Sequence, residues 1–227
     1  LKAALFALGA AGAAIVIGYF ATGRTGYLAL VAVAVVFVAW RRPLWRVVVG
    51  LVLVLLLSFA AYKQSSTVQE RIDRIITESQ ISGTARNHTS VGARLAMWSF
   101  ALEAIQQRPL LGTGSGGYPQ AASAHFSDPV TCRISCSHSH NQFLFFGVEN
   151  GLVGLALYLA FILSALRAAW RIPNPAVSGA AASVIAVLVA DSLTHGPFWI
   201  ANEFALFAVM IPLMLCATSG AARVKTV

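Results

Sequence analysis

The sequence contains few charged residues. Asp, Glu, Lys and Arg together make up 11% of its 227 residues, whereas hydrophobic residues make up 58%. Soluble domains contain roughly 45–50% apolar residues and about 25% charged residues. A core of this length cannot bury so much apolar surface, and the mean hydropathy of +0.74 agrees with that. The composition excludes an ordinary soluble domain and predicts that lipid is the solvent for much of the chain.

Cysteine and acidic residues are also scarce. Three Cys are too few for a disulfide scaffold. Eight acidic residues against 16 basic ones give a formal net charge of +8. A basic chain often binds nucleic acid, but here the bases lie in short loops between apolar runs. We therefore expect membrane lipids as partners and no nucleic acid. The chain opens at Leu1 without a signal-peptide pattern, so we expect a fragment of a longer membrane protein.

Six apolar runs are long enough, or nearly so, to cross a bilayer as helices, which takes about 20 residues. The runs are Ala3–Phe20, Gly26–Trp40, Leu44–Tyr62, Asn141–Leu166, Val177–Leu193 and Phe198–Thr218. The second run is the weakest because it is short. The sequence therefore predicts an all-α integral membrane protein with about six transmembrane helices.

The distribution of charge predicts the orientation of these spans. With six spans, eight of the 16 basic residues fall on one side, without any acid or His. All eight acids, all five His and the other eight bases fall on the opposite side. The positive-inside rule makes the first side cytoplasmic. The chain then has three spans in residues 1–62, a large external loop at 63–140, three spans in 141–219 and a cytoplasmic tail at 220–227.

The external loop has helical patterns of its own. Apolar residues recur at helical spacing from Val68 to Ile76 among charged ones, which is typical of an amphipathic helix at the membrane interface. A second helix is predicted from about Gly92 to Gln107, with Pro109 ending it. We expect plain packing at the interface for the residues of both helices except Arg94.

A glycine-rich stretch follows the second helix, with the sequence Pro109-Leu-Leu-Gly-Thr-Gly-Ser-Gly-Gly-Tyr-Pro119. The backbone N–H groups of such a loop can bind phosphate. The Gly-Lys-Ser/Thr ending of a phosphate-binding P-loop is missing, however, and no strand precedes it. A turn that holds the chain against the membrane is favoured over a phosphate site.

The densest group of reactive side chains is Cys132-Arg-Ile-Ser-Cys136-Ser-His138-Ser-His140-Asn141. Two Cys and two His suggest zinc, but all four lie within nine residues, whereas zinc sites normally join two separated pairs. An oxidising compartment favours a disulfide between Cys132 and Cys136. Both alternatives stay open, with zinc the weaker, and we predict a site without metal.

Further ionisable residues lie at the borders of the predicted spans. Arg24 lies between the first two spans, Glu149 lies in the fourth, Asp191 and His195 end the fifth, and Glu203 begins the sixth. Ionisable groups at these positions are functional candidates by default, because placing them next to lipid is unfavourable. Hydrogen bonding between helices is the alternative for Glu149 and Glu203.

Arginines, histidines and a carboxylate suit a limited range of chemistry. Arg presents a planar fork that binds phosphate oxygens, and His can take a proton near neutral pH. Such a set fits a transfer in which a hydroxyl attacks and a diphosphate leaves. A lipid diphosphate could keep its headgroup at the membrane surface and its tail in lipid. A transporter of lipid anions would place polar groups near the bilayer midplane, and these residues crowd one face instead.

Four motifs, in this order, resemble those of the O-antigen ligase and polymerase superfamily. They are Arg94-Leu-Ala-Met-Trp98, Arg108-Pro-Leu-Leu-Gly-Thr-Gly114, His140-Asn141 and Glu149-Asn-Gly-Leu-Val-Gly154. The resemblance covers roughly Arg24 to Glu203 and implies a helical bundle like that of the glycosyltransferase-C enzymes. Members of the superfamily are typically about twice as long, so the chain looks like a C-terminal half.

The resemblance also implies an activity. Such an enzyme moves a polysaccharide from undecaprenyl diphosphate to a lipid A-core sugar, at the periplasmic face of the bacterial inner membrane, without a cofactor. By this resemblance His140 would be the general base, Arg94 and Arg24 would hold the diphosphate, and His138 and Asp191 would contact substrate. A polymerase or a protein-glycosylating ligase of the same superfamily is the alternative.

Overall fold

The computed structural model describes residues 24–81 and 87–216, and no strand is present in these two ranges. The helices described there are α1 (Arg24–Ala39), α2 (Leu44–Gln64), α3 (Ser66–Gln80), α4 (Ser90–Gln107), α5 (Tyr118–His125), α6 (Pro129–Ser135), α7 (Gln142–Arg171), α8 (Pro175–Thr194) and α9 (Ala201–Cys216). The all-α prediction is confirmed for this part of the chain. The first predicted span, Ala3–Phe20, and the predicted tail at 220–227 lie outside the described residues.

Within residues 24–81 and 87–216, two helices are long and apolar enough to cross a membrane. They are α7, with 30 residues, and α8, with 20 residues. The outer surface of α7 stays apolar, since Leu157 and Leu163 are 67% and 65% exposed. Contiguous exposed apolar surface is unfavourable in water, so the two helices favour a membrane protein. Leu44–Leu53 and Ala201–Leu213 are shorter apolar helical segments, and the count of six spans stays a prediction.

Helices α7, α8 and α9 share one hydrophobic core, and α1 packs against α8. Its centre consists of large residues such as Tyr158, Ile185 and Phe207, all nearly inaccessible to solvent. Small residues such as Ala169 and Ala181 are also fully buried in it. Small side chains at helix contacts let two backbones approach closely, which is how helices associate in lipid.

The arginine-bearing turns lie together at one end of this bundle. The Arg41 guanidinium donates to the carbonyl of Ile172 over 3.0 Å. The Trp40 indole donates to Ser178 Oγ over 2.8 Å and contacts Trp170 edge-on. The acids and His that border the spans are near the start of α7 and the end of α8, at the opposite end of the α7–α8 hairpin. In the described part of the bundle, these arginines and these acids and His therefore lie at opposite ends, and their orientation in a membrane stays a prediction.

Helix α7 is broken at Gly151, where φ is 62° and ψ is −159°, a conformation that is essentially limited to glycine. Tyr158 OH shares a 2.6 Å hydrogen bond with Ser192, and Asn141 reaches the carbonyl of Leu193 over 3.2 Å. In a straight helix, Asn141 and Tyr158 would lie about 25 Å apart along the axis. The break lets the first two turns of α7 fold aside, so that Asn141 returns to the end of α8.

The glycine-rich turn binds the backbone groups that the break exposes. The N–H groups of Thr113 and Gly114 donate to the carbonyls of Val148 and Glu149, each over 2.8 Å, and Leu152 N–H donates to the Pro109 carbonyl over 2.7 Å. Buried backbone groups need such partners. The prediction of a turn is confirmed, and these amide hydrogens are committed to α7 rather than available to phosphate.

Glu149 also belongs to this junction. Its side chain is buried, and Oε1 accepts from the backbone N–H of Tyr118 over 3.3 Å. This hydrogen bond joins α7 to the external loop rather than to another span, so it differs from the bonding between helices that was the alternative, and a functional role stays a prediction. Burial raises the pKa of the neighbouring Tyr118 phenol.

The two predicted helices of the external loop are present. The amphipathic segment is α3, Ser66–Gln80, and the second helix is α4, which ends at Gln107 as expected. Helix α4 begins at Ser90 because the Thr89 hydroxyl accepts from Gly92 N–H over 3.0 Å. The short helices α5 and α6 were not predicted, and each has a proline in its first turn.

We predict that Gly151→Ala destabilises the protein. A Cβ at Gly151 would lie 2.3 Å from the Leu110 backbone, and its backbone conformation alone is unfavourable for alanine by about 1–3 kcal/mol. Gly179→Ala is the matched control, because a Cβ there meets nothing within 4 Å and alanine favours helix by about 1 kcal/mol. Thermal unfolding in detergent should show a lower Tm for Gly151→Ala alone. Equal Tm values for the two variants would show that the break does not require glycine.

Candidate active site

Three histidine rings meet at the end of the bundle opposite the arginine turns. The ring centroids of His138 and His140 are 4.0 Å apart, and those of His140 and His195 are 5.7 Å apart. His138 and His195 are separated by 6.3 Å. The first two residues end the external loop, whereas His195 caps the C-terminus of α8. The fold therefore gathers side chains from two separated stretches of sequence into one cluster.

Asn141 fixes the position of His140 at the start of α7. Its side-chain oxygen accepts from Leu144 N–H over 3.1 Å, as an N-cap. Its amide nitrogen donates to the Leu193 carbonyl. His140 itself has a φ of 48°, a left-handed conformation that non-glycine residues adopt rarely. The His-Asn pair thus joins the loop, α7 and α8 at a single point.

Helix α4 is attached to the same segment. The Trp98 indole donates to the carbonyl of Ser139 over 3.2 Å, and the Ser139 hydroxyl donates to the Asn141 carbonyl over 2.7 Å. Arg94 precedes Trp98 by four residues and so lies on the same face of α4. Its positive charge acts on His140. The geometry brings together the predicted residues Arg94, His138 and His140.

The ring nitrogens of the two loop histidines, His138 and His140, differ in their hydrogen bonds to the backbone. The N–H of His140 donates to His138 Nδ1 over 3.1 Å, so a neutral His138 carries its hydrogen on Nε2 and acts there as a donor. His140 Nδ1 is buried without a hydrogen-bond partner among the described residues. The predicted roles, in which His138 binds substrate and His140 takes a proton, stay predictions.

Burial is the largest cause, and the charges of His138, Arg94 and His195 add to it in that order, so that together they lower the pKa of the His140 imidazole to about 3. Burial likewise lowers the pKa of His138. His140 is therefore neutral at physiological pH and able to accept a proton. An anionic diphosphate beside Arg94 would offset the positive field and make His140 more basic.

Two carboxylates border the histidine cluster. Glu203 Oε2 lies 3.2 Å from His195 Nδ1, and Asp191 Oδ1 lies 3.9 Å from the same nitrogen. Asp191 is buried, whereas His195 and Glu203 each keep about a third of the side chain exposed. Oxygen and nitrogen atoms of the three residues lie within 4.8 Å of one another. A divalent cation could occupy such a group, but the members already pair with each other, and we assign them as a hydrogen-bonded cluster.

The pairing of His195 with Glu203 is the part of the site that sequence reasoning did not assign. Both residues were candidates by position, and the spacing of Asp191 and His195 placed them on one face of α8. The approach of Glu203 depends on the turn between α8 and α9, which Gln142 holds by accepting from Phe198 N–H over 3.1 Å. The Gly196-Pro197 dipeptide marks a turn there, but it does not give the geometry that brings Glu203 to His195.

The structure decides the prediction for the two loop cysteines but not the prediction for Arg24. Cys132 and Cys136 form a disulfide, so the disulfide alternative is confirmed, and their thiolates cannot bind zinc. Arg24 is the first residue of α1, but its side chain lies outside the described part of the chain. Its role at the site therefore stays a prediction.

We predict that the His140 ring stays neutral at pH 5 and that Arg94→Gln raises its pKa, because a positive neighbour is removed. His140 is harder to protonate in the folded protein than in the unfolded chain. Its contribution to the free energy of unfolding is therefore lost as pH falls from about 6.5 towards 3. Nitrogen-15 NMR of histidine-labelled protein in nanodiscs measures the ring state, with His140→Asn for assignment. Arg74→Gln, on exposed α3, is the control. A protonated wild-type ring at pH 5 would contradict this account.

Two curated proteins are similar to parts of the chain. A protein of Rickettsia bellii, provisionally named polysaccharide ligase, is 31% identical over 96 residues, which is 38% of this chain and 22% of that protein. An uncharacterized protein of Haemophilus influenzae is 35% identical over 79 residues, or 34% of this chain and 20% of that protein. Each match spans about a fifth of the relative's length.

The family comparison covers more of the chain. Residues 8–159 match the model of the O-antigen ligase family. This range contains the helix with Arg94, the glycine-rich turn, the His140-Asn141 pair and the break in α7. Because the match extends over more than half of the 227 residues, the chain belongs to the O-antigen ligase family.

Proposed function

We propose that this chain carries the active site of an O-antigen ligase, which transfers a polysaccharide from undecaprenyl diphosphate to a lipid A-core sugar. The family supports an enzyme that transfers glycosyl groups. The observation that carries the finer proposal is the meeting of Arg94 with His140 and His138 at one end of an apolar helical bundle. That place suits a reaction between two lipid-anchored substrates at a membrane surface.

Arg94 binds the diphosphate in this proposal. A guanidinium stays charged at every relevant pH and forms paired hydrogen bonds with phosphate oxygens. It stabilises the negative charge that grows on the diphosphate as the sugar leaves. Arg24 would add a second cation from the start of α1, which packs against α8. Asp191 would then orient a sugar hydroxyl at the edge of the cluster.

His140 supplies the base. The acceptor hydroxyl oxygen attacks the anomeric carbon of the donor sugar, and its proton passes to the His140 ring. The bond between that carbon and the diphosphate oxygen breaks, and the diphosphate leaves with the electron pair. Diphosphate bound beside Arg94 makes the neutral His140 ring more basic, so the base becomes effective only when the donor is present.

An apolar groove next to the site suits the lipid part of the donor. Its volume is about 550 Å³. The largest side chains that line it are Leu111, Phe146, Leu157, Tyr158, Phe161 and Phe198. Phe198 follows His195 by three residues, and Leu111 belongs to the turn that fills the break of α7. A polyprenyl tail in this groove would place its diphosphate at the histidine end of the bundle.

The acceptor distinguishes this proposal from its alternatives. A polymerase or a protein-glycosylating ligase would share the donor chemistry and use another hydroxyl. A transporter is disfavoured, because the ionisable residues of α7 and α8 lie towards the helix ends rather than at the centres. Reconstitution with lipid-linked glycan and lipid A-core, followed by identification of the modified acceptor, separates these functions.

We predict that His140→Ala lowers transfer to lipid A-core by about 10²–10⁴-fold, the usual contribution of a general base, while insertion into membranes survives. The assay is glycan transfer by the protein in proteoliposomes. His88→Ala is the control, since His88 pairs with Asp128 on the exposed loop and should retain activity. Transfer at the wild-type rate by His140→Ala would remove this residue as the base.

We predict that Arg94→Lys lowers kcat at least tenfold, because an ammonium cannot reproduce the paired hydrogen bonds of a guanidinium to diphosphate. Initial rates at varied donor concentration give kcat and KM separately. Arg74→Lys is the control, because the exposed pair of Arg74 with Glu70 contributes little to stability. Wild-type kinetics in Arg94→Lys would show that Arg94 is structural.

A further inference from the structure

We propose that His195, held by Glu203, is a second catalytic residue, which receives the proton that His140 removes from the acceptor hydroxyl. This inference rests on the proposed transfer reaction and extends its path for the proton. It concerns residues 195 and 203, which lie beyond the segment that matches the family model. Three observations support it: the orientation of the His195 ring, the charges around the two rings, and the way the fold holds His195 in place.

The hydrogen bond to Glu203 orients the His195 ring. With Nδ1 3.2 Å from Glu203 Oε2, a neutral His195 donates its Nδ1 hydrogen to the carboxylate and keeps an unprotonated Nε2. A carboxylate that holds one ring nitrogen and leaves the other to accept a proton is the arrangement of histidine bases in hydrolases. Among the described residues of this cluster, neither His138 nor His140 has a carboxylate at hydrogen-bond distance.

The charges around the two rings favour movement of a proton from His140 to His195. A protonated His140 faces the cationic Arg94 and two further imidazoles. A protonated His195 faces Glu203 at 3.2 Å and Asp191 at 3.9 Å on one side, and the His138 and His140 rings on the other. The ring centroids of His140 and His195 are 5.7 Å apart, a separation that one hydrogen bond or one bridging water spans.

The backbone around His195 holds its ring in place. Its N–H donates to the Asp191 carbonyl over 2.8 Å at the end of α8. Four residues later, the Trp199 ring lies 6.0 Å from the His138 ring. The Gln142 side chain holds the turn between them, and Asn141 holds the last turn of α8. Preorganisation of this kind is what a proton transfer between fixed groups requires.

The proton balance is simple. The oxygen–hydrogen bond of the acceptor breaks as the new glycosidic bond forms, and His140 becomes an imidazolium. It then gives a proton to Nε2 of His195, whose positive charge is paired with the Glu203 carboxylate. His140 is thereby neutral again beside Arg94 once the diphosphate has left the site. His195, which is 27% exposed, finally releases the proton to solvent.

The test compares His195→Ala, Glu203→Gln and their double variant in the proteoliposome assay. We expect His195→Ala to lower kcat about 10²-fold or more with little change in either KM, and added imidazole to restore part of the rate. Glu203→Gln keeps the side-chain shape and should lower kcat by a smaller factor. The kcat of the double variant should lie within threefold of that of His195→Ala, because the effects of substituting residues that act as a unit are not additive. His88→Ala, from the exposed loop, should keep the wild-type rate.

Several outcomes would overturn the proposal. Transfer at the wild-type rate by both single variants would do so, as would a rise in KM with unchanged kcat, which indicates binding rather than proton transfer. Loss of wild-type activity in EDTA, reversed by a divalent cation, would show that Asp191, His195 and Glu203 bind a metal ion instead. If the wild-type protein transfers no glycan at all, the proposed function fails first. If the wild-type protein transfers glycan and His195→Ala does so at the same rate, only this inference fails.

Discussion

The structure depends on how the backbone polar groups at the break of α7 are satisfied. A helix that crosses lipid hydrogen-bonds its own peptide groups, and a break exposes them unless other protein groups take their place. Here the carbonyls of Val148 and Glu149 and the amide of Leu152 all bond to the glycine-rich turn. The turn fits because Gly112 has no side chain, as a Cβ there would lie 2.3 Å from the Val148 carbonyl. The external loop is therefore anchored to α7 through the backbone.

The anchoring of the external loop to α7 also determines the arrangement of the candidate site, which lies away from the break. Because α7 bends at Gly151, Asn141 reaches the end of α8, and His140 lies beside His195. Trp98 attaches α4 to the same place, and Arg94 comes with it. Most of these contacts are hydrogen bonds to backbone atoms. The motifs thus include residues that hold the cluster in place as well as residues that we propose to react.

Much of the bundle could be predicted from the sequence because apolar runs and caps determine helices locally. The start of α2 at Leu44 and the end of α4 at Gln107 were predicted at the residues where they occur. Helices α5 and α6 were missed because segments of eight and seven residues are too short to be stable alone. The break at Gly151 was missed because its conformation is set by contacts with residue Leu110, and a glycine in an apolar run otherwise suggests only close packing.

The candidate site, too, was predictable where residue type decides and not where tertiary contacts decide. The predicted site residues were Arg24, Arg94, His138, His140 and Asp191. The rings of His138 and His140 are in contact and the charge of Arg94 acts on His140, while the roles of all five stay predictions. The contact of Glu203 with His195 depends on the turn after α8, and the tautomer of His138 depends on one backbone hydrogen bond. Both are tertiary features that residue spacing does not encode.

The junction of the glycine-rich turn with α7 also has a consequence for biogenesis. Until residues 109–114 dock, the first turns of α7 have unpaired peptide groups at the break, and the helix cannot rest stably against lipid in its final form. Insertion of this span and folding of the preceding loop must therefore finish together. A chain whose loop has not reached the same side as the break has no assembled histidine cluster.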